Sequence, residues 1–293
     1  MRTEQQMLDL ILTTAQQDER IRAVIMNGSR TNPNVPRDPF QDFDIVYIVT
    51  DVEPFRRNLE WIQRFGEMMI LQMPEDMQDP PADKGGFFSY LMQFMDGNRI
   101  DLGLVTMEEW KDQTGEQDSL SVLLLDKDGV IEPFPPPSDA DYLPKPPTAR
   151  AFANCCNEFW WVSPYVAKGL WRGEILYAKR LFDEVLRNGE LMKMLTWHIG
   201  LKTDFQVSPG KLGKYFEKYL EPELWDSLLN TFSDANYENT WNALFAACDL
   251  FRQVAIPIAA HYGFEYPFKD DRRVLAHLQH VRSLPKDAKE IYK

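Results

Sequence analysis

The sequence has little of what several large protein classes require. Only three of its 293 residues are cysteine, and two of them, Cys155 and Cys156, are adjacent. An odd count with an adjacent pair makes neither a disulfide framework nor a Cys-x-x-Cys metal site. Cys155, Cys156 and Cys248 are therefore expected as buried free thiols in a reducing compartment. Basic residues are in deficit: 32 Lys and Arg against 45 Asp and Glu leave a formal net charge of −13 and a pI near 4.8. A nucleic-acid surface needs a cation excess to neutralise phosphates, so no nucleic-acid partner is expected. No run of about 18 apolar residues is read anywhere, which predicts no membrane-spanning helix. Met1 to Arg20 lacks the apolar core of a secretory leader, and a cytoplasmic protein is expected. The four histidines, His198, His261, His277 and His280, show no metal-ligand spacing. Neither Gly-x-Ser-x-Gly nor His-Glu-x-x-His occurs, and Gly210-Lys211-Leu212-Gly213-Lys214 lacks the spacing of a phosphate loop.

What the sequence does have is one compact pattern. Gly28-Ser29-Arg30 is followed, after eleven residues, by Asp42-Phe43-Asp44 at the head of the apolar run Ile45-Val46-Tyr47-Ile48-Val49. On a strand, residues two apart share a face, so Asp42 and Asp44 point together while Phe43 points into a core. Two carboxylates a pleat apart can share a divalent cation, and Mg²⁺ takes oxygen ligands while keeping waters and phosphate oxygens in its shell. Such a pair suits a magnesium nucleoside triphosphate. Gly28 lets backbone approach a phosphate closely, and the Ser29 hydroxyl can donate to it. A third acid, Asp101, stands in the strand-like run Arg99 to Val105, where Ile100, Leu102 and Leu104 share the opposite face. A lone carboxylate in such a run is costly to bury unless it pairs or binds a cation. The blander readings are a solvated strand start for Asp42 and Asp44 and an exposed hairpin acid for Asp101.

The coarse pattern is α+β. Glu4–Gln16 has helical spacing; Ile21–Met26, Phe43–Thr50 and Met68–Gln72 read as strands; Glu53–Phe65 reads as one helix opened by Pro54. Phe87–Met95 and Arg99–Val105 flank the turn Asp96-Gly97-Asn98, Glu108–Gln113 is a helical turn, and Leu120–Leu125 is a last strand. Between Pro133 and Pro147 seven of fifteen residues are proline, which predicts a stiff spacer. The expected organisation is a mixed-sheet domain over 1–134, a linker over 135–147, and a helical bundle over 148–293. Helices are predicted over Thr148–Arg187, Leu191–Thr203, Lys211–Tyr219, Pro222–Thr231 and Tyr237–Tyr262, and His277 and His280, three apart in a polar tail, read as a solvated helix face. No internal repeat is present.

Taken together, Ile25-Met26-Asn27-Gly28-Ser29-Arg30, Phe40-Gln41-Asp42-Phe43-Asp44-Ile45, Met73-Pro74-Glu75-Asp76-Met77, Arg99-Ile100-Asp101-Leu102 and Cys155-Cys156-Asn157-Glu158-Phe159-Trp160 resemble the aminoglycoside 6- (streptomycin) adenylyltransferases. These belong to the DNA polymerase β-like nucleotidyltransferases, and the resemblance runs from about Met1 to Pro267. It implies transfer of AMP from ATP to a hydroxyl of an aminoglycoside such as streptomycin, with Mg²⁺ on Asp42, Asp44 and Asp101. Asp101 is either a metal ligand or the general base. Gly28, Ser29 and Arg30 would hold phosphates, with a surface position for Arg30 nearly as good a reading. Lys168, on the first long helix of the bundle, would reach phosphates across a cleft between the domains; the blander reading is a solvated helix lysine. Glu75, Asp76 and Glu158 would pair with the cationic substrate, a sign that the acidic composition also fits. An ordinary loop and a helix surface are their blander readings. Trp160, Trp161 and Tyr165 read as interdomain packing. A monomer or homodimer is expected. The rival readings are a nucleotidyltransferase with another acceptor, a silent nucleotide-binding regulator, and a glycosyltransferase using Asp-x-Asp.

Overall fold

Period-two alternation along the first 126 residues builds a single sheet. The computed structural model describes every residue except 78, 82–84, 114–117 and 293. Six strands, β1 (Ile21–Asn27), β2 (Phe43–Val49), β3 (Met68–Gln72), β4 (Phe87–Phe94), β5 (Arg99–Thr106) and β6 (Ser121–Asp126), lie in the order β3-β4-β5-β2-β1-β6. The β2–β5 pair is parallel and the other pairs are antiparallel, so the sheet is mixed.

The two faces are unequal. One buries Phe43, Ile45 and Tyr47 of β2, Ile100, Leu102 and Leu104 of β5 and Phe88 and Tyr90 of β4. Helix α1 (Glu4–Gln17) covers this face with Met7, Ile11 and Ala15. Full burial of each such large side chain contributes about 1.5–3 kcal/mol. Two buried tyrosines find backbone acceptors: the Tyr47 hydroxyl donates to Ile11 O at 2.7 Å and that of Tyr90 to Phe55 O at 2.9 Å. The other face has a small core of Ala23, Ile25, Ile48 and Val105, against which Met107 and Trp110 of α3 (Met107–Gln113) pack.

The expected helix over Glu53–Phe65 is broken. Helix α2 (Glu53–Arg56) ends, Asn58 leaves helical geometry (φ −122°, ψ 83°), and its side-chain oxygen accepts from Glu60 N at 3.2 Å. Asparagine here competes with the backbone ladder, and Leu59–Phe65 continues as 3-10 turns that bury Trp61, Ile62 and Phe65.

The chain divides into two compact units, Met1–Asp141 and Tyr142–Lys293. The second is helical: α4 (Ala149–Arg172), α5 (Ile175–Arg180), α6 (Met192–Lys202), α7 (Phe216–Tyr219), α8 (Pro222–Leu229), α9 (Tyr237–Tyr262) and α10 (Phe268–Ser283). Its breaks differ from the expected ones. Helix α4 stops at Gly173, which adopts the left-handed conformation (φ 79°, ψ 22°) that caps helices. The stretch from Ile175 to Lys202 then runs on, with Leu181–Leu191 in wider π-type winding that absorbs Asn188-Gly189. Helix α9 is long and apolar enough to cross a membrane by length and composition, although Asp249 and Arg252 interrupt its apolar run. Its Trp241, Leu244, Leu250, Phe251, Val254 and Ile258 are nevertheless the core of this unit, with Phe251 stacked on Phe159 at 3.9 Å. Trp160 packs in the same core, whereas Trp161 is exposed. All three cysteines are buried free thiols, and burial pushes Cys156 up to about 12.

Helix α10 carries His277 and His280, read from the sequence as a solvated helix face; its bounds were not legible because it buries few apolar residues, Leu278 and Val281. What anchors it is Asp271, which accepts from Arg252 Nε at 2.7 Å, Arg252 Nη2 at 2.6 Å and the Tyr266 hydroxyl at 2.9 Å. Removing one partner of a buried pair leaves the other uncompensated. Asp271→Ala is expected to destabilise this unit by about 3 kcal/mol, read as a lower midpoint in denaturant unfolding. An unchanged midpoint would show that α10 is held by its apolar contacts alone.

A carboxylate trio at the end of the sheet

The register of the sheet places polar residues in one row. Asp44 of β2 pairs with Asn27 of β1 on one side and Asp101 of β5 on the other, and Asn27 pairs in turn with Ser121 of β6. All four lie on the face of the small core. One step inward the row becomes Ile25, Val46 and Gly103, and two steps inward Ala23, Ile48 and Val105. Across β1, β2 and β5 polarity is thus confined to one end of that face. Asp42, just before β2, adds its side chain to the row. Carboxylate oxygens of Asp42, Asp44 and Asp101 all lie within 4.8 Å of one another, and this is the one such potential metal-binding group among the described residues.

The turn that faces the trio is built by the end of β1. Gly28 has φ +75°, donates its N–H to Leu120 O at 3.0 Å, and opens a 3-10 turn over Gly28–Arg30. A Cβ at this position would sit 2.1 Å from Asp44 Oδ2. Glycine is therefore demanded by the left-handed backbone and by the carboxylate. The Gly28 amide is thus engaged by Leu120, and the donors the turn leaves for a phosphate belong to its neighbours, Ser29 first. The Thr31 hydroxyl, 2.9 Å from Gly28 O and 2.8 Å from Leu120 O, locks the turn to the approach to β6.

Arg30 is buried and not at the surface. Its Nε donates to Asp42 O at 2.9 Å, its Nη2 to Gln41 O at 2.6 Å, and its Nη1 lies 3.2 Å from Glu4 Oε2. The guanidinium also stacks 3.8 Å over the Phe43 ring. Nε and Nη2 hold the loop that presents Asp42 and Nη1 ties it to helix α1, so the surface reading of Arg30 is corrected to a buried anchor of that loop.

The trio has a cation that the sequence reading did not single out. Arg99 grips Asp101 at both oxygens, with Nε to Oδ1 and Nη2 to Oδ2 at 2.7 Å each, and its Nε lies 3.9 Å from Asp42 Oδ2. The signal was present, since Arg99 and Asp101 are two apart on one strand and must share a face. Burial pushes the Asp44 carboxyl up to about 7, reinforced by the charges of Asp42 and Asp101 and opposed by Arg99. Like-charged carboxylates with oxygen donors this close fit a hard divalent cation.

The expected substrate acids differ in their surroundings. Glu75 is buried and accepts from Ser89 N at 2.9 Å and Ser89 Oγ at 3.2 Å, which ties its loop to β4. Asp76 pairs with Arg56. Glu158 is in the second unit, exposed on α4 in a hollow shared with Asn154, Asn157, Glu190 and Lys193. Lys168, also on α4, lies 4.7 Å from the Tyr165 ring centroid and 5.8 Å from that of Tyr177.

Comparison with known proteins agrees with the motif reading. The profile of the streptomycin adenylyltransferase family matches residues 1–281. An aminoglycoside 6-adenylyltransferase of Bacillus subtilis (strain 168) is 44% identical over 271 residues, covering 92% of this chain and 95% of the relative. One from Campylobacter jejuni is 44% identical over 272 residues, 93% of each. A crystal structure of an aminoglycoside 6-adenyltransferase from Bacillus subtilis is 38% identical, with a TM-score of 0.48 over 97% of this chain and 100% of that one.

The raised Asp44 carboxyl has a stability consequence. Its proton is held more tightly in the folded chain (about 7) than at the ordinary value of 3.8. The favourable contribution is therefore complete below pH 3.8 and is lost as pH rises through 7. Asp44→Asn is expected to melt higher than the parent in metal-free buffer at pH 8 and to lose most of that advantage at pH 5. Equal melting temperatures at both values would show that Asp44 is not strained by its neighbours.

Proposed function

The chain belongs to the streptomycin adenylyltransferase family, and we propose that it transfers AMP from ATP to a hydroxyl of an aminoglycoside, with streptomycin as the acceptor, releasing pyrophosphate. The observation that carries this reading is the meeting of Asp42, Asp44 and Asp101 opposite the Gly28 turn, in a chain whose relatives bear that activity in their names.

Asp42, Asp44 and Asp101 would hold Mg²⁺. Bound there, the cation would offset charge developing on the α-phosphate and lower the pKa of an attacking hydroxyl. The chain's own part is placement. The parallel pairing of β2 and β5 sets two of the carboxylates side by side, and Arg30 fixes the backbone that carries the third. Ser29, in the turn, donates its hydroxyl and N–H to the triphosphate. Both oxygens of Asp101 accept charge-assisted bonds from Arg99. Glu158 and the acidic surface supply the sign that a cationic acceptor needs, and Lys168 is the candidate phosphate cation of the second unit.

The test is pyrophosphate release from Mg-ATP with streptomycin, spectinomycin, kanamycin or no acceptor. Release with streptomycin alone is expected. Release with only one of the other antibiotics would move the acceptor, and silence with all of them would refute the proposed reaction. Asp44→Asn should lower the rate by at least about 10²-fold with an unchanged circular dichroism spectrum.

A further inference from the structure

Arg99 carries an inference that rests on the metal reading of the trio and goes beyond it. We propose that Arg99 is a place-holding counter-ion: it occupies Asp101 in the metal-free protein, and the divalent cation binds by evicting it.

Three features of the geometry support this. First, both Asp101 oxygens are taken, one by Nε and one by Nη2. A cation that uses Asp101 must displace at least one N–H from it. Second, the guanidinium serves the whole trio. The hydrogen bonds it donates to Asp101 hold its charge most strongly, and the charges of Asp101, Asp42 and Asp44 add to it. It is also the cation that opposes the upward shift of Asp44. Third, Arg99 has somewhere to go. Its side chain is 44% exposed, whereas that of Arg30, which anchors the same site, is 6% exposed. A half-exposed ion pair is weakly held because solvent competes for both partners. Arg30 is fixed by two backbone carbonyls and an aromatic face, while Arg99 holds only carboxylates, the groups a metal would claim.

A purely structural role would have the opposite consequence for binding. If Arg99 served to align Asp101 for the metal, its loss would weaken metal binding. If it competes for Asp101, its loss strengthens binding twice over, by removing the competitor and by leaving the carboxylates more strongly repelled in the empty site. The sign of the change decides, and no turnover is needed to read it.

The experiment is calorimetric titration of Mn²⁺ into the nucleotide-free full chain at low ionic strength. Arg99→Gln is expected to bind roughly three- to tenfold more tightly than the parent. Arg99→Lys, which keeps the charge, should stay near the parent. The melting temperature of metal-free Arg99→Gln should fall while its rise on adding Mn²⁺ grows. Unchanged or weaker Mn²⁺ binding in Arg99→Gln, with Asp44→Asn binding weakly as it should, would overturn the place-holding role and leave the metal site standing. Parent-like Mn²⁺ binding by Asp44→Asn would remove the metal site itself, and the proposal with it.

Discussion

The repulsion among three carboxylates gathered at one end of a sheet is the constraint around which the first unit is arranged. Nothing in the acids themselves brings them together. Asp44 meets Asp101 because β2 and β5 pair in parallel register, and that register is enforced from the opposite face. Ile45, Tyr47, Leu102 and Leu104 are fully or almost fully buried there. A slip of one residue would turn that apolar set outward. The transfer of these side chains out of water thus holds an arrangement of charges that would otherwise separate. The cost is visible at Asp44, whose carboxyl is pushed up to about 7, a perturbation of the kind concentrated at functional sites.

Neighbouring residues are best understood by how they answer that charge. Gly28 yields space to the Asp44 carboxylate. Asn27 pairs with it along the row without adding charge, and its side-chain oxygen accepts from the Ser121 hydroxyl at 2.9 Å. The two arginines beside the trio divide the work. Arg30 sends its guanidinium inward to carbonyl oxygens that any cation bound at the trio leaves alone. Arg99 lies outward on carboxylate oxygens. The same side-chain chemistry gives one permanent strut and one exchangeable partner because burial and acceptor type differ.

Much of this was legible in the sequence, through rules of short range. Period-two alternation put Asp42 and Asp44 on one face and Phe43 in the core, and placed Asp101 opposite Ile100, Leu102 and Leu104. The same rule applied to Arg99 would have found the counter-ion. Gly28 was recognisable as a position with special backbone, but the reason for it was not, because the atom that fills the space belongs to a residue sixteen positions along. Arg30 was illegible for a similar reason: whether it faces solvent or core depends on Glu4 and on the path of residues 31–42. Among the helices, Gly173 outranked Asn188-Gly189 as a break because its carbonyl neighbours were free to be capped, while the glycine at 189 was absorbed in wider winding. Helix α10 showed in the sequence only as a solvated face at His277 and His280, because its apolar stripe is short, Val274, Leu278 and Val281, and the buried pair of Asp271 with a distant arginine adds to it.

The acidic balance of the whole chain bears on the order of binding in the proposed reaction. A trio of carboxylates in a chain of net charge −13 repels a bare triphosphate. One guanidinium offsets only part of that charge, so a polyphosphate can approach the trio only if cation comes with it or has come before. A cationic acceptor meets the reverse situation: the field that excludes the free nucleotide draws the acceptor in. In the proposed reaction, dependence on a divalent cation and preference for a positively charged acceptor would have a common origin in the same excess of carboxylate, and selection of the acceptor would begin in the charge of the chain before any side chain touches it.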